Sequence, residues 1–192
     1  MIHRVDLAGL TGVVQSGSDA YATLAGGLVQ RVDGATFETG PRVPFVSAGR
    51  AAGGGERLEI YPTPSRVFVL NRATGLDSGA DPRTLRPDRA VPLAAPESMP
   101  DAGAVVDEGA AADGLARMWA VDGTGSLVRI DADGARTWPH AFADPARTRL
   151  VDAGGKPVAV DLAVGEIRPI GPDGLGDRGQ CVQRQQIGRA HV

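Results

Sequence analysis

The 192-residue chain has a single cysteine, Cys181, so neither an intramolecular disulfide framework nor a cysteine-based zinc cluster can be built from it. Lysine is equally scarce: Lys156 is the only one among 20 basic residues. The 23 acidic residues leave a net charge of −3, spread along the chain. No basic stripe points to nucleic acid, and no cationic amphipathic helix points to a membrane surface. No stretch approaches the roughly 18 apolar residues of a spanning helix, so no membrane insertion by this segment is expected. The opening residues Met1-Ile2-His3-Arg4-Val5-Asp6 carry neither the basic nor the apolar region of a secretion signal. Aromatic residues make up only 4%, whereas 27 glycines and 14 prolines together exceed a fifth of the chain. That excess argues against a long helical bundle or coiled coil and favours short strands joined by turns. The Arg, Ala, Gly and Pro bias reads as that of a GC-rich bacterial gene.

What is present is a repeat. Four segments each begin with a short apolar strand, turn, and continue into a second apolar strand. They are 13–24, 58–71, 104–122 (with a small-residue insertion at Glu108-to-Asp113) and 149–161. Val14, Ile60, Val106 and Val151 anchor them at spacings of 46, 46 and 45. A third strand is expected at 27–33, 126–131 and 165–170, with the clearest alternation around Val128, Arg129 and Ile130. The second unit's version, Leu76-Asp77-Ser78-Gly79-Ala80, reads as degenerate. Asp122-Gly123-Thr124-Gly125 reads as a tight hairpin turn, since glycine supplies positive φ at little cost.

An exit turn recurs next. Asp33-Gly34-Ala35-Thr36-Phe37 matches Asp81-Pro82-Arg83-Thr84-Leu85 position by position, and Asp131-Ala132-Asp133-Gly134 takes the same place in the third unit. An Asp side chain that accepts backbone N–H bonds two residues on closes such a turn unaided. Fourth strands follow at 41–45, 89–93 and 136–139; their prolines require an edge position. The stretch from Ala94 to Gly114 reads as connections between units, because Val105-Val106 keeps the register.

A unit of about 46 residues with four short antiparallel strands has the size of one β-propeller blade. The chain resembles propellers with YVTN-like or lactonase-like repeats, and more narrowly the propeller region of large actinobacterial surface proteins that also carry fibronectin type III domains. Residues 67–75, 81–85 and 118–122 carry that resemblance, which extends over roughly residues 4–174. The expected fold is all-β: a partial β-propeller of about four blades, each a four-stranded antiparallel meander. It spans 1–179, with repeats at about 13–57, 58–103, 104–148 and 149–179. A β-sandwich would leave the repeat unexplained. Residues 180–192 abandon the pattern, and Ile187-Gly188-Arg189-Ala190-His191-Val192 reads like one frame of a sequencing adapter. They are expected to be an unstructured, artefactual tail on a fragment of something longer.

Candidate chemistry is thin. Of His3, His140 and His191, only His140 lies in a folded-looking stretch, where it reads as a turn residue without a converging partner. Asp131 and Asp133 have the opening of a calcium loop but lack its later ligands and closing Glu, so they read as turn closers. The glycine runs 51–56 and 123–125 lead into no helix with a phosphate-binding lysine. Trp119 is expected to pack between blades, and Trp138 in the core or at the rim. No catalytic or metal residue, no cofactor and no specific binding residue is assigned. The resemblance implies a non-catalytic scaffold or interaction module of a larger exported or membrane-anchored bacterial protein, placed outside the cell or on its surface. Its partner would be a protein or a cell-surface glycan, not nucleic acid. The alternatives are part of a propeller lactonase or lyase or of a polysaccharide-degrading protein whose catalytic residues lie elsewhere, and an intracellular adaptor.

Overall fold

A computed structural model describes residues 5–45, 57–94, 104–107, 116–154 and 156–176. The insertion at Glu108-to-Asp113, the glycine run 51–56, His3, His191 and the tail 180–192 lie outside the described residues. The rest folds as four sheets of four antiparallel strands. The first holds β1 (Leu10–Ser16), β2 (Asp19–Leu24), β3 (Leu28–Val32) and β4 (Thr39–Pro44); the second holds β5 (Leu58–Pro62), β6 (Val67–Asn71), β7 (Leu76–Ala80) and β8 (Pro87–Pro92). The third holds β9 (Ala104–Asp107), β10 (Arg117–Val121), β11 (Leu127–Ile130) and β12 (Ala135–Trp138); the fourth holds β13 (Thr148–Asp152), β14 (Pro157–Asp161), β15 (Glu166–Gly171) and β16 (Gly174–Leu175). Within each sheet, strands neighbour one another in chain order, as a meander. One turn of 3-10 helix, Pro145–Arg147, is the only helical piece among the described residues.

The first strands β1, β5, β9 and β13 lie against one another in that order, so each sheet points its first strand inward and its fourth outward. Prolines fall where this demands. Pro41 and Pro44 are in β4, and Pro87 and Pro92 in β8; both strands are edges with no further ladder to supply.

Three apolar layers join the four sheets. Tyr21, Val29 and Phe45 of the first meet Ile60, Val67, Val69 and Leu85 of the second. Phe68, Leu70 and Val91 of the second meet Met118, Ala120 and Ile130 of the third. Val105, Trp119 and Leu127 of the third meet Leu150, Ala159 and Ile170 of the fourth. The middle strands β6 and β10 are buried at every position, which is why each carries four apolar residues in a row, 67–70 and 118–121.

The four anchors all fall on first strands but do not share a face. Ile60 and Val106 pack toward the preceding sheet. Val14 pairs with Tyr21, which faces the following sheet. Val151 lies one residue past Leu150, which packs on the third sheet, so Val151 faces away from it. The equivalent positions are therefore Val13, Ile60, Val106 and Leu150. Side chains alternate every residue along a strand, so a one-residue slip in alignment moves an anchor to the opposite face. The supposedly degenerate third strand of the second unit is also complete: β7 pairs with β6 from Leu76 to Ala80.

The exit turns close as expected. Asp33 Oδ1 accepts from Ala35 N (2.9 Å) and Thr36 N (3.0 Å), Asp81 Oδ1 from Arg83 N (3.0 Å) and Thr84 N (2.7 Å), and Asp131 Oδ1 from Asp133 N (3.0 Å) and Gly134 N (3.1 Å). In the first two, Phe37 N and Leu85 N each donate to the carbonyl of the same Asp at 2.8 Å. That closure draws Phe37 and Leu85 to φ values of 60° and 56°, an uncommon conformation for side chains this large.

Candidate functional site

A cleft of about 690 Å³ lies along the second sheet between Ser65, Arg66, Asp81, Thr84, Arg86 and Asp88. The β5–β6 turn supplies Ser65 and Arg66, the exit turn supplies Asp81, Thr84 and Arg86, and the start of β8 supplies Asp88. Arg66 is only 8% exposed and is fixed from several sides. Its Nη2 donates to Asp88 Oδ1 at 2.7 Å, and its guanidinium stands 5.4 Å from the Phe68 ring centroid. The guanidinium lies across Gly79, where an added Cβ would fall 1.9 Å from Nη2, so only glycine leaves it room. Arg66 Nε has no hydrogen-bond partner. Thr84 and Asp81 are engaged with each other in the exit turn, and these bonds, first the Thr84 amide and then its hydroxyl, hold the Asp81 carboxyl below the usual range. The cleft thus presents the Arg66–Asp88 pair, the exposed arginine Arg86 and two hydroxyls. It can bind polar or charged groups, and its Thr84 hydroxyl is held by the Asp81 carboxylate at 2.9 Å as part of the exit turn.

A second polar group sits where β5 meets β9. Tyr61 donates to Glu59 Oε2 (2.6 Å) and accepts from the Ala104 amide (3.2 Å), while Arg72 Nε donates to Glu59 Oε1 (2.6 Å). Burial, reinforced by the Glu59 carboxylate, pushes the Tyr61 phenol up to about 12. Burial also opposes ionisation of Glu59, but its bonds to Arg72 and Tyr61 prevail and keep it low. Both hydrogen-bonding ends of this group are occupied, so it ties the second sheet to the third.

Asp77 is the exception to this pattern. It pairs with Leu70 and Val91, which pack toward the third sheet, and is fully buried. Neither carboxyl oxygen has a hydrogen-bond partner. Burial pushes it up to about 8, against the pull of the Arg66 guanidinium. Sequence pattern missed it because Asp77-Ser78-Gly79 looks like a turn.

The residues weighed from sequence are dispersed. His140 is an exposed turn residue with φ 53°. Asp131 has one oxygen on its turn amides and the other 3.1 Å from Arg129 Nε. Among the described residues, no group of three or more His, Cys, Asp or Glu converges as metal ligands. Glycines 123 and 125 belong to the β10–β11 hairpin, where Asp122 Oδ1 accepts from Thr124 N and Ser126 N at 2.9 Å each. Trp119 is buried between the third and fourth sheets, and Trp138 packs on it at 5.5 Å between ring centroids, with Arg136 4.9 Å above the Trp138 ring. Among the described residues, no helix is long and apolar enough to cross a membrane.

No protein-family profile matches the chain, and no curated protein matches it. Solved structures do. BamB from Moraxella catarrhalis is similar over 81% of this chain and 49% of its own, at 15% identity and a TM-score of 0.52. Hydrazine synthase of Kuenenia stuttgartiensis is similar over 88% of this chain and 51% of its own, at 19% identity and 0.52. The computationally designed protein Ika4 is similar over 86% of this chain and 92% of its own, at 11% identity and 0.51. The chain therefore spans about half the length of the first two. Together with the sheet order, this likeness shows the fold: each four-stranded sheet is one blade of a β-propeller.

Proposed function

We propose that the chain is a non-catalytic propeller segment that acts as an interaction scaffold in a larger exported or membrane-anchored bacterial protein. We place it among the YVTN- or lactonase-like repeats of surface proteins that also carry fibronectin type III domains, with a protein as partner. One observation carries the reading: the carboxylates of the exit turns and of the Glu59 group are engaged in structural bonds. The exit-turn carboxylates close their own turns, and Glu59 binds Tyr61 and Arg72. At the second blade, Asp88 and Arg86 are exposed along the cleft beside the buried Arg66, a surface for charged partners. A rigid arginine with a fixed acidic neighbour suits recognition of a peptide carrying both signs of charge.

The test is co-sedimentation of the purified chain with isolated cell envelopes of an actinobacterium, alongside a panel of lactone and polyuronide substrates. The reading expects binding that is lost after protease treatment of the envelopes, weakened about tenfold by Arg86→Glu with Asp88→Arg, and no turnover. Binding that survives protease would transfer the partner to glycan. Turnover of a lactone or polysaccharide by this chain, or absence of any binding, would overturn the proposal.

A further inference from the structure

We propose that Arg66 has two acidic partners and holds one at a time: Asp88 in the cleft while Asp77 keeps its proton, and Asp77 in the layer once that proton is lost. The consequence of this exchange for partners, though not the exchange itself, rests on the cleft being a binding surface.

The ladder places the three groups together. Asp77 and Gly79 are two residues apart on β7, so they share a face of the second sheet and stand about 7 Å apart along it. Asp77 pairs with Leu70 and Val91, and Gly79 with Phe68, all three in the layer with the third blade. Arg66 reaches onto this face from the β5–β6 turn and lies where a Gly79 side chain would be. Its guanidinium therefore sits one pleat along the strand from the Asp77 carboxyl. It is engaged on one side only: Nη2 donates to Asp88 Oδ1 at 2.7 Å, while Nε has no acceptor. Both Asp77 oxygens lack a partner as well. A buried donor and a buried acceptor are thus left open beside one another, each costly to leave so.

The other charges on this face are committed. Glu59 is held by Arg72 and Tyr61, and Arg89 donates to the Asp133 carbonyl. The third blade brings apolar groups to the layer, Met118, Ala120, Val128 and Ile130 among them. Its Arg117 and Asp107 pair across β10 and β9 on the row that alternation turns to the fourth blade. Burial keeps the Asp77 carboxyl protonated up to about 8; Arg66 and the Ser78 amide pull against it, and Asp88 adds to it. Once the proton has gone to solvent, a carboxylate in this layer needs a cation beside it. Arg66 supplies one by turning its free Nε to Asp77 while remaining stacked on Phe68. Asp88 tolerates the loss because its side chain is 49% exposed and water solvates it. The cleft then carries one more negative charge and favours basic over acidic partners.

The test is carboxyl-carbon NMR of the full chain between about pH 6 and about pH 9.5. Asp77 should titrate in that window. The Asp88 carboxyl should shift with the same midpoint as Arg66 departs, and the Arg66 Nε–H signal should move with it. In Asp77→Asn, which keeps the shape of the side chain, circular dichroism should match the native chain and both shifts should vanish. In Asp88→Asn, which frees Arg66, Asp77 should titrate about one unit lower, a tenfold loss of proton affinity. An Asp88 carboxyl that stays flat through the Asp77 transition overturns the proposal, as do shifts that persist in Asp77→Asn or an Asp77 that keeps its proton throughout. Tetraglutamate and tetraarginine peptides probe the consequence. From about pH 6 to about pH 9, the first should bind about threefold more weakly and the second about threefold more tightly, with no change in Asp77→Asn. Coupled carboxyl shifts with neither peptide bound would support the exchange and count against the cleft as the binding surface.

Discussion

The third and fourth blades have the same strand order and opposite surroundings. In the third, β10 is buried at every position, with Met118 and Ala120 against the second blade and Trp119 and Val121 against the fourth. In the fourth, only the face carrying Leu150, Ala159 and Ile170 is covered, while Val151 and Ile167 on the other face are about half exposed. A single sheet has no second layer to cover its apolar faces, so a blade takes its stability from its neighbours rather than from its own ladder. The middle of the molecule should therefore be sensitive to truncation and the end tolerant of it.

The largest contrast is Trp119→Ala against Ile167→Ala. Removing the buried indole should cost about 3–5 kcal/mol, whereas the exposed Ile167 should change stability by about 0.5 kcal/mol or less in dilute solution. Urea unfolding with a common m-value measures both, and equal losses would break the comparison. The same logic applies within the matched exit turns, where identical backbone closures separate side chains with different surroundings. Leu85→Ala should cost about 2–4 kcal/mol and Phe37→Ala less than about 1 kcal/mol.

Asp77 sharpens the comparison through pH. Its folded pKa is raised to about 8, so its contribution to stability is fully present below the unfolded carboxyl range near about 4 and is lost as pH rises through 8. The native melting temperature should decline across that window. Asp77→Asn should flatten the decline and stabilise the chain by about 1–2 kcal/mol at pH 8, while changing little near pH 4. Thermal melts at several pH values check this, and an unchanged slope in the variant would contradict it. The smallest effect belongs to the unpacked rim: Val164→Ala, at 69% exposure, should alter stability by less than about 0.5 kcal/mol.

Much of this architecture was legible in the residues, and the exceptions have physical causes. The exit turns could be read because an Asp two residues before a free amide dictates its own bond, whatever surrounds it. Prolines located the outer strands β4 and β8, where a missing N–H costs no ladder bond, although Pro157 and Pro169 also lie in the inner strands β14 and β15. The anchors were placed on the right strands, but two were on the wrong face, because spacing alone does not fix a period-two register. The third strand of the second blade was underread because its side chains, Asp77, Ser78 and Gly79, are dictated by close packing: Gly79 by the Arg66 guanidinium, and Asp77 by a place in the layer with the third blade. The candidate cleft was not legible at all. Arg66 from the β5–β6 turn is brought to Arg86 of the β7–β8 exit turn and Asp88 of β8 by the folding of the sheet, and nothing in their sequence spacing distinguishes them from solvated charges. The difference between Leu85 and Phe37 was hidden for a related reason: it depends on which blade stands opposite.

Hydrogen exchange of backbone amides tests the central claim, that each blade is held by the faces it shares with its neighbours, most directly. In dilute solution, β6 and β10, covered on both faces, should exchange slowest, and β14 and β15 at least about tenfold faster. Equal protection in β10 and β15 would contradict the account, since it would mean that the ladder within a sheet, not the layer between blades, holds the strands in place.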